Sequence, residues 1–211
     1  MKLKSFLKII NELNSLGPNP KFASTHIILA YIVIATNKIG RVRLSKIIGI
    51  GEGSVRTLLK TLVKLNLITI TTEGCELTNN GIKLYEELKN IISEWKELPV
   101  GKLTIDKHNI IIKVRNCGHL IKHGIIERDA GIVVGATGII SLIVKNNKFC
   151  IPGGSNNCEK EYPDIIWNEL KTKFILSDND VIIISGSKDI HSAIYGAIAG
   201  SLKLIYKKLE V

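Results

Sequence analysis

Little in this chain is spelled out for metal capture, cross-linking or membrane insertion. The four cysteines, Cys75, Cys117, Cys150 and Cys158, form no CxxC pair, so no zinc ribbon or dithiol redox motif is present. No signal peptide is visible, and a reducing cytoplasm is the expected setting. The longest apolar run, residues 130–144, carries three glycines. It is short for a membrane span and reads as a helix end followed by a strand. With no basic amphipathic tail or lipidation motif either, a membrane is not an expected partner. Acids are also scarce. Against 29 Lys+Arg stand 19 Asp+Glu, a net charge of +10 and a pI near 9.4. That balance favours an anionic partner, nucleic acid first. No P-loop, nucleotide fingerprint, Ser-His-Asp order or paired acids can be found, so no catalytic residue and no cofactor is expected.

What is present is ordinary globular material: 45% hydrophobic and 23% charged residues over 211 positions, enough for two small domains. The stretch 41–77 is the most informative. A short apolar helix, 44–48, precedes Gly49-Ile50-Gly51, and a second helix begins near Glu52 and runs to about Leu65. A β-type alternation at 67–70, a turn at Glu73-Gly74 and a return strand at 75–77 follow. Helix, glycine turn, helix and hairpin is the order of a winged helix-turn-helix. In the second helix Val55, Leu58, Leu59, Leu62 and Leu65 recur at three- and four-residue spacing, so one face is buried. Ser54, Arg56, Thr57, Lys60, Thr61 and Lys64 fall on the other, with no acid after Glu52. Such a face supplies donors for guanine edges and phosphates in a DNA major groove. Arg41 and Arg43, read as loop residues just before the helix pair, are candidates for phosphate contact at the edge. Glycines 49, 51 and 53 are expected to permit the sharp turn. A helical hairpin with a solvated basic face would give the same spacing, and such units also serve protein–protein contact. The hairpin carries Glu73 and Glu76 and no cation, so it is expected to add little to DNA binding.

Around this stretch, residues 2–16 read as an amphipathic helix stopped by Gly17-Pro18-Asn19-Pro20. Residues 23–37 form a second helix, apolar almost all round, with Ser24 or Thr25 as its cap. Thr78-Asn79-Asn80 caps a helix to about Glu97, which either packs on the first helix or pairs with a second copy. Leu98-Pro99-Val100-Gly101 marks a boundary between domains 1–98 and 99–211. Before it, 14 Lys+Arg stand against 8 Asp+Glu, and after it 15 against 11, so the excess is denser in the first half. Beyond it the pattern predicts strands at 102–105, 109–115, 139–144, 149–151 and 180–185. Helices are predicted at about 120 or 125 to 136, 163–173 and 188–209. Arg128-Asp129 before Gly135-Ala136 echoes Lys188-Asp189 before Gly196-Ala197, which suggests two small-residue helices on one face of a sheet. The expected fold class is therefore α+β in two domains. An N-terminal winged helix-turn-helix joins a C-terminal two-layer α+β sandwich with a largely antiparallel sheet and two main helices.

Three other groups bear on chemistry. Cys117, His119 and His123, with Cys150 or Cys158, have the residue types of a zinc site, but no acid stands at ligand spacing and no metal is expected. Ser185-Gly186-Ser187-Lys188 joins a strand to a helix, where Ser187 and Lys188 could hold a phosphate or carboxylate; a turn with Ser187 as N-cap is the commoner reason for such a sequence. Arg128 and Asp129 interrupt an apolar region and either pair structurally or line an effector pocket.

Three stretches, IGIGEGSVRTLLKTL, HGIIERDAGIVVGATGIISLIV with KFCIPGG, and DNDVIIISGSKDIHSAIYGAIAGSLKLI, resemble an archaeal family of uncharacterised transcription regulators. That family joins a winged helix to an α+β domain of unknown function. The resemblance covers both halves. It implies double-stranded DNA as partner of the first, with effector sensing or homodimerisation in the second, and it supplies no catalytic residue. The helix-turn-helix piece alone is also similar to that of archaeal riboflavin kinases fused to a winged helix. A riboflavin kinase-like phosphotransferase, whose catalytic domain would be a β-barrel, is thus the alternative. A protein or RNA adaptor using the same basic helix is a third reading.

Overall fold

The computed structural model describes residues 1–13, 22–93 and 95–211, so the expected stop at 17–20 lies outside it. The chain divides into two compact units, Met1–Lys89 and Asn90–Glu210.

The first unit is built around an apolar helix. α1 (Leu3–Glu12) buries Leu3, Phe6, Leu7 and Ile10 at helical spacing. α2 (Ser24–Thr36) is buried on nearly every side, from Ile27 to Ile34, as a central helix must be. Ala23, not Ser24 or Thr25, occupies its cap position. The Ala23 N–H is met by Nδ1 of His26 at 2.9 Å. α3 (Arg41–Ile48) begins directly after Gly40. Arg41 and Arg43 are therefore helical rather than loop residues. α4 (Glu52–Lys64) buries Val55, Leu58, Leu59 and Leu62. Of the three glycines expected to shape the α3–α4 turn, only Gly49 takes left-handed backbone, at φ 62°. Around Gly51 and Gly53 an added Cβ would meet open space. Ser45 Oγ closes the turn by donating to the Ile50 carbonyl at 2.5 Å.

β1 (Ile68–Thr71) and β2 (Gly74–Leu77) form an antiparallel hairpin. Its return strand is held to Ile39 by a backbone pair in which Cys75 N–H donates to the Ile39 carbonyl at 2.8 Å. α5 (Asn79–Lys89) packs against α1 of its own chain, and Leu3 N–H donates to the Glu87 carboxylate at 2.8 Å. Tyr31 on α2 donates to the Gly81 carbonyl at 2.5 Å, and its ring packs tilted against Phe6 and edge-to-face with Tyr85.

The helix expected to reach Glu97 ends eight residues early. After Lys89 the chain makes a turn at Asn90-Ile91 and joins the sheet of the second unit. Arg115 N–H donates to Ile91 and Ser93 N–H to Lys113, and β3 (Lys96–Glu97) pairs with β4 (His108–Val114). The second unit thus begins before the expected boundary at 98/99.

β5 (Gly138–Lys145), β6 (Lys148–Cys150) and β7 (Val181–Ser187) complete an open five-stranded sheet in the order β3-β4-β7-β5-β6, antiparallel throughout. α6 (Ile125–Val133) and α9 (Ile190–Leu209) lie together against one face. Their closeness rests on small residues. A Cβ on Gly131 would meet Ile139 at 2.4 Å, and one on Gly196 would meet Ser185 Oγ at 2.2 Å. The other face is covered as well, by α7 (Cys158–Glu161) and α8 (Ile166–Lys173). Trp167 and Leu170 close over Ile111, Leu142, Ile182 and Ile184 there. The sheet is sandwiched in three layers rather than the expected two.

The strand expected at 102–105 is instead a 3-10 turn, Gly101–Leu103. The Asp164 carboxylate accepts both Lys102 N–H at 2.9 Å and Ile166 N–H at 3.0 Å. One carboxylate thereby fixes the turn and starts α8, and these two bonds hold its pKa below the usual range. Among the described residues no helix is long and apolar enough to cross a membrane.

Candidate nucleic-acid interface

α4 presents two unlike faces because its leucines recur with the helix. While Val55, Leu58, Leu59 and Leu62 are buried, Arg56, Thr57, Lys60 and Lys64 are exposed, and Ser54 and Thr61 are half-buried. Among the described residues, no acid lies within ion-pair distance of Arg56, Lys60 or Lys64. Exposed Arg43 and Lys46 on α3 add to the positive surface of the unit. Between Lys38 and Thr72 the only acid is Glu52, and it is held by Arg41, Nη2 to Oε2 at 3.2 Å. Glu52 stands in the first turn of α4, where a carboxylate also suits the helix dipole.

The acids of the hairpin are neutralised locally. Lys38 Nζ lies 2.5 Å from Glu73 and 3.1 Å from Glu76. These hydrogen bonds raise the Lys38 pKa and lower that of Glu73. The pair of glutamates therefore does not oppose an approaching polyanion as two free charges would. Nothing local in the sequence marks Lys38 for this role, because its partners lie 35 and 38 positions away.

α3, α4 and the hairpin line an open cleft of about 350 Å³. Arg41, Arg56 and Lys60 line it beside Leu59, Ile70 and Cys75. Reading the sequence did not bring out this cleft, although one signal was available. Ile70 is an apolar residue on the outward side of a short strand, and it is 56% exposed.

The residues singled out in the second half are placed differently. Glu127 turns into the protein, 1% exposed, and meets Lys207 of α9 at 3.1 Å. Its neighbours Arg128 and Asp129 face solvent and pair with each other at 2.9 Å. Ser187 is buried, its Oγ donating to the Gly135 carbonyl at 3.4 Å. Asp189, and not Ser187, caps α9 by accepting Ser192 N–H at 2.8 Å. That bond depresses the Asp189 pKa and occupies one of the amides that a bound anion would use. Lys188 is exposed. Among the described residues no hydrogen bond or ion pair joins Arg128 or Asp129 to Ser187 or Lys188. Cys117 is buried with its thiol on the Arg115 carbonyl, and His119 bonds Asn179. Among the described residues no three His, Cys, Asp or Glu side chains form a group that could hold a metal ion.

The comparisons with known proteins follow this same division. Residues 26–83 match the model of the PH0730-like N-terminal domain. Residues 105–204 match a domain of unknown function, DUF4443. A solved structure resembles nearly the whole chain: the hypothetical protein PH0730 from the archaeon Pyrococcus horikoshii OT3. It is 26% identical with a TM-score of 0.73, and the match covers 90% of this chain and 96% of that one. No curated protein matches.

Proposed function

We propose that the protein is a DNA-binding transcription regulator whose first unit is a winged helix-turn-helix. In this reading α3 and α4 are the helix pair, β1–β2 is the wing, and α4 enters the major groove. The observation that carries it is the exposed row Arg56, Lys60 and Lys64 on one face of α4, with no acid at ion-pair distance among the described residues. A helix mounted by its leucines on a buried three-helix base can present such a row rigidly to base edges and phosphates. Ser54, Thr57 and Thr61 lie on or beside that face, and Arg41 and Arg43 on α3 supply cations at its margin. The second unit, non-enzymatic in this reading, senses an effector or joins two copies.

The open sheet favours this reading over a phosphotransferase of the riboflavin kinase kind. β3 and β6 are its two edges and do not pair, whereas a catalytic β-barrel requires closure.

The decisive experiment compares binding of the whole protein to duplex DNA, single-stranded DNA and RNA of the same sequence across a salt series. Preference for duplex, falling steeply with salt, is the expected result. Equal or stronger binding to single strands or RNA would overturn it in favour of an adaptor. Sequencing the duplex fragments retained by the protein would then give the operator.

A further inference from the structure

We propose that the cleft between α4 and the β1–β2 hairpin is a binding site for a small amphipathic anion, an apolar body bearing one carboxylate, sulfonate or phosphate. At about 350 Å³ the cavity falls within the range of small-molecule sites, which are mostly apolar with a few converging polar groups. Its lining has that composition. Leu59, Ile70 and Cys75 offer an apolar wall, and Arg41, Arg56 and Lys60 bring three cations to the same space.

Two further observations point to an occupant. Ile70 leaves 56% of its surface in water beside the cavity, while Ile68 on the same strand is buried. Arg41 reaches Glu52 through Nη2 alone, at 3.2 Å, while its Nε is buried and has no acceptor among the described residues. A buried donor without a partner is costly, and a ligand oxygen would relieve it. One acid, Glu73, also lines the cleft, but its carboxylate is already engaged by Lys38 at 2.5 Å. The charge felt by a ligand is therefore positive. A duplex is too broad to fill a cavity of this size with apolar contact, so the apolar wall selects a small molecule.

Arg56 and Lys60 belong both to the cleft and to the row proposed to meet DNA. A ligand seated here would thus compete with duplex for the same two cations, by reciprocal linkage. This competition, unlike the site itself, rests on the DNA-binding reading.

The test uses the full chain and 8-anilinonaphthalene-1-sulfonate, an aromatic anion whose fluorescence rises in apolar surroundings. Saturable one-to-one binding is expected, with amide chemical-shift changes clustered at residues 40–41, 56–60 and 70–75. Ile70→Asp and Arg41→Gln should each weaken binding about tenfold or more, the first by adding a repelling charge and the second by removing a charge-assisted hydrogen bond. Val133→Asp, on α6, should leave it unchanged. No binding, binding unaltered by both cleft variants, or shift changes located elsewhere would overturn the site. Shift mapping on the unaltered protein keeps the result decisive even if a variant fails to fold. Saturating probe should release bound duplex. If the probe binds in the cleft and the protein binds no duplex, the regulator reading falls and the site stands. If duplex binding is unaffected by the probe, the shared use of Arg56 and Lys60 falls.

Discussion

Ser185 Oγ on β7 occupies the space that a side chain on Gly196 of α9 would need, 2.2 Å from where its Cβ would lie. The same Cβ would lie 2.6 Å from that of Ala136. Gly196→Ala should therefore force α9 off the sheet and cost about 1–3 kcal/mol, the usual range for overpacking. Ser185→Ala should be neutral or stabilising, because the hydroxyl is buried with no hydrogen-bond partner among the described residues. In the double variant the cost of Gly196→Ala should shrink but not vanish, since Ala136 remains. Urea denaturation of the four proteins measures the coupling.

Arg56→Ala with Lys60→Ala should weaken duplex binding and make the slope of log affinity against log salt shallower by about two, one for each phosphate no longer neutralised. Neither side chain has a partner in the fold among the described residues, so the thermal midpoint should hold. Unchanged affinity would remove α4 as the DNA reader.

Lys207→Met should destabilise the second unit more than Glu127→Gln does. Removing the ammonium strands a carboxylate that is 1% exposed, whereas the amide of glutamine leaves no buried charge and can still bond Lys207. Breaking a buried pair from one side costs about 3 kcal/mol at the lower end of its range. The lower end applies because Lys207 is one-third exposed. Denaturation midpoints with unchanged m-values would report it.

Burial lowers the pKa of His26, and the neutral ring is the form that accepts Ala23 N–H at the start of α2. The unfolded chain binds this proton more readily than the folded one. The sign follows: the stabilisation is complete above about pH 6.5, the ordinary imidazole value, and is lost as pH falls below it. Thermal melts between pH 7.5 and 5.5 should show the decline. His26→Gln, which keeps an acceptor at that position without a titrating group, should flatten it.

The parts of the fold that could be read from the sequence are those whose causes are local. α4 follows from the recurrence of Val55, Leu58, Leu59 and Leu62, and the hairpin from alternation around Glu73-Gly74. Expectation failed where a distant group decides the outcome. Ile91, Ile92 and Trp95 continue a helical spacing, but the end of the helix is overridden because β4 and Arg115 supply backbone partners to Ile91, Ile92, Ser93, Lys96 and Glu97. Residues 102–105 alternate like a strand, yet Asp164 fixes a turn from 62 positions away. Arg128 and Asp129, expected to pair across the sheet or line a pocket, face solvent. α6 instead points Glu127 inward, and one position on a helix is a rotation of about 100°. The cationic row of α4 was legible for the same local reason as the helix. The cleft was not, because its walls come from three separate segments.

The sheet of the second unit ends on strands of two and three residues, β3 and β6. Lys96 and Glu97 mark one border and Lys148 the other. A foreign polypeptide trying to lengthen the sheet would find few unpaired amides and would have to bury charge beside them. An unclosed sheet can in this way resist cross-β stacking without a barrel's seam, and α6 and α9 remain free of any need to shield its borders.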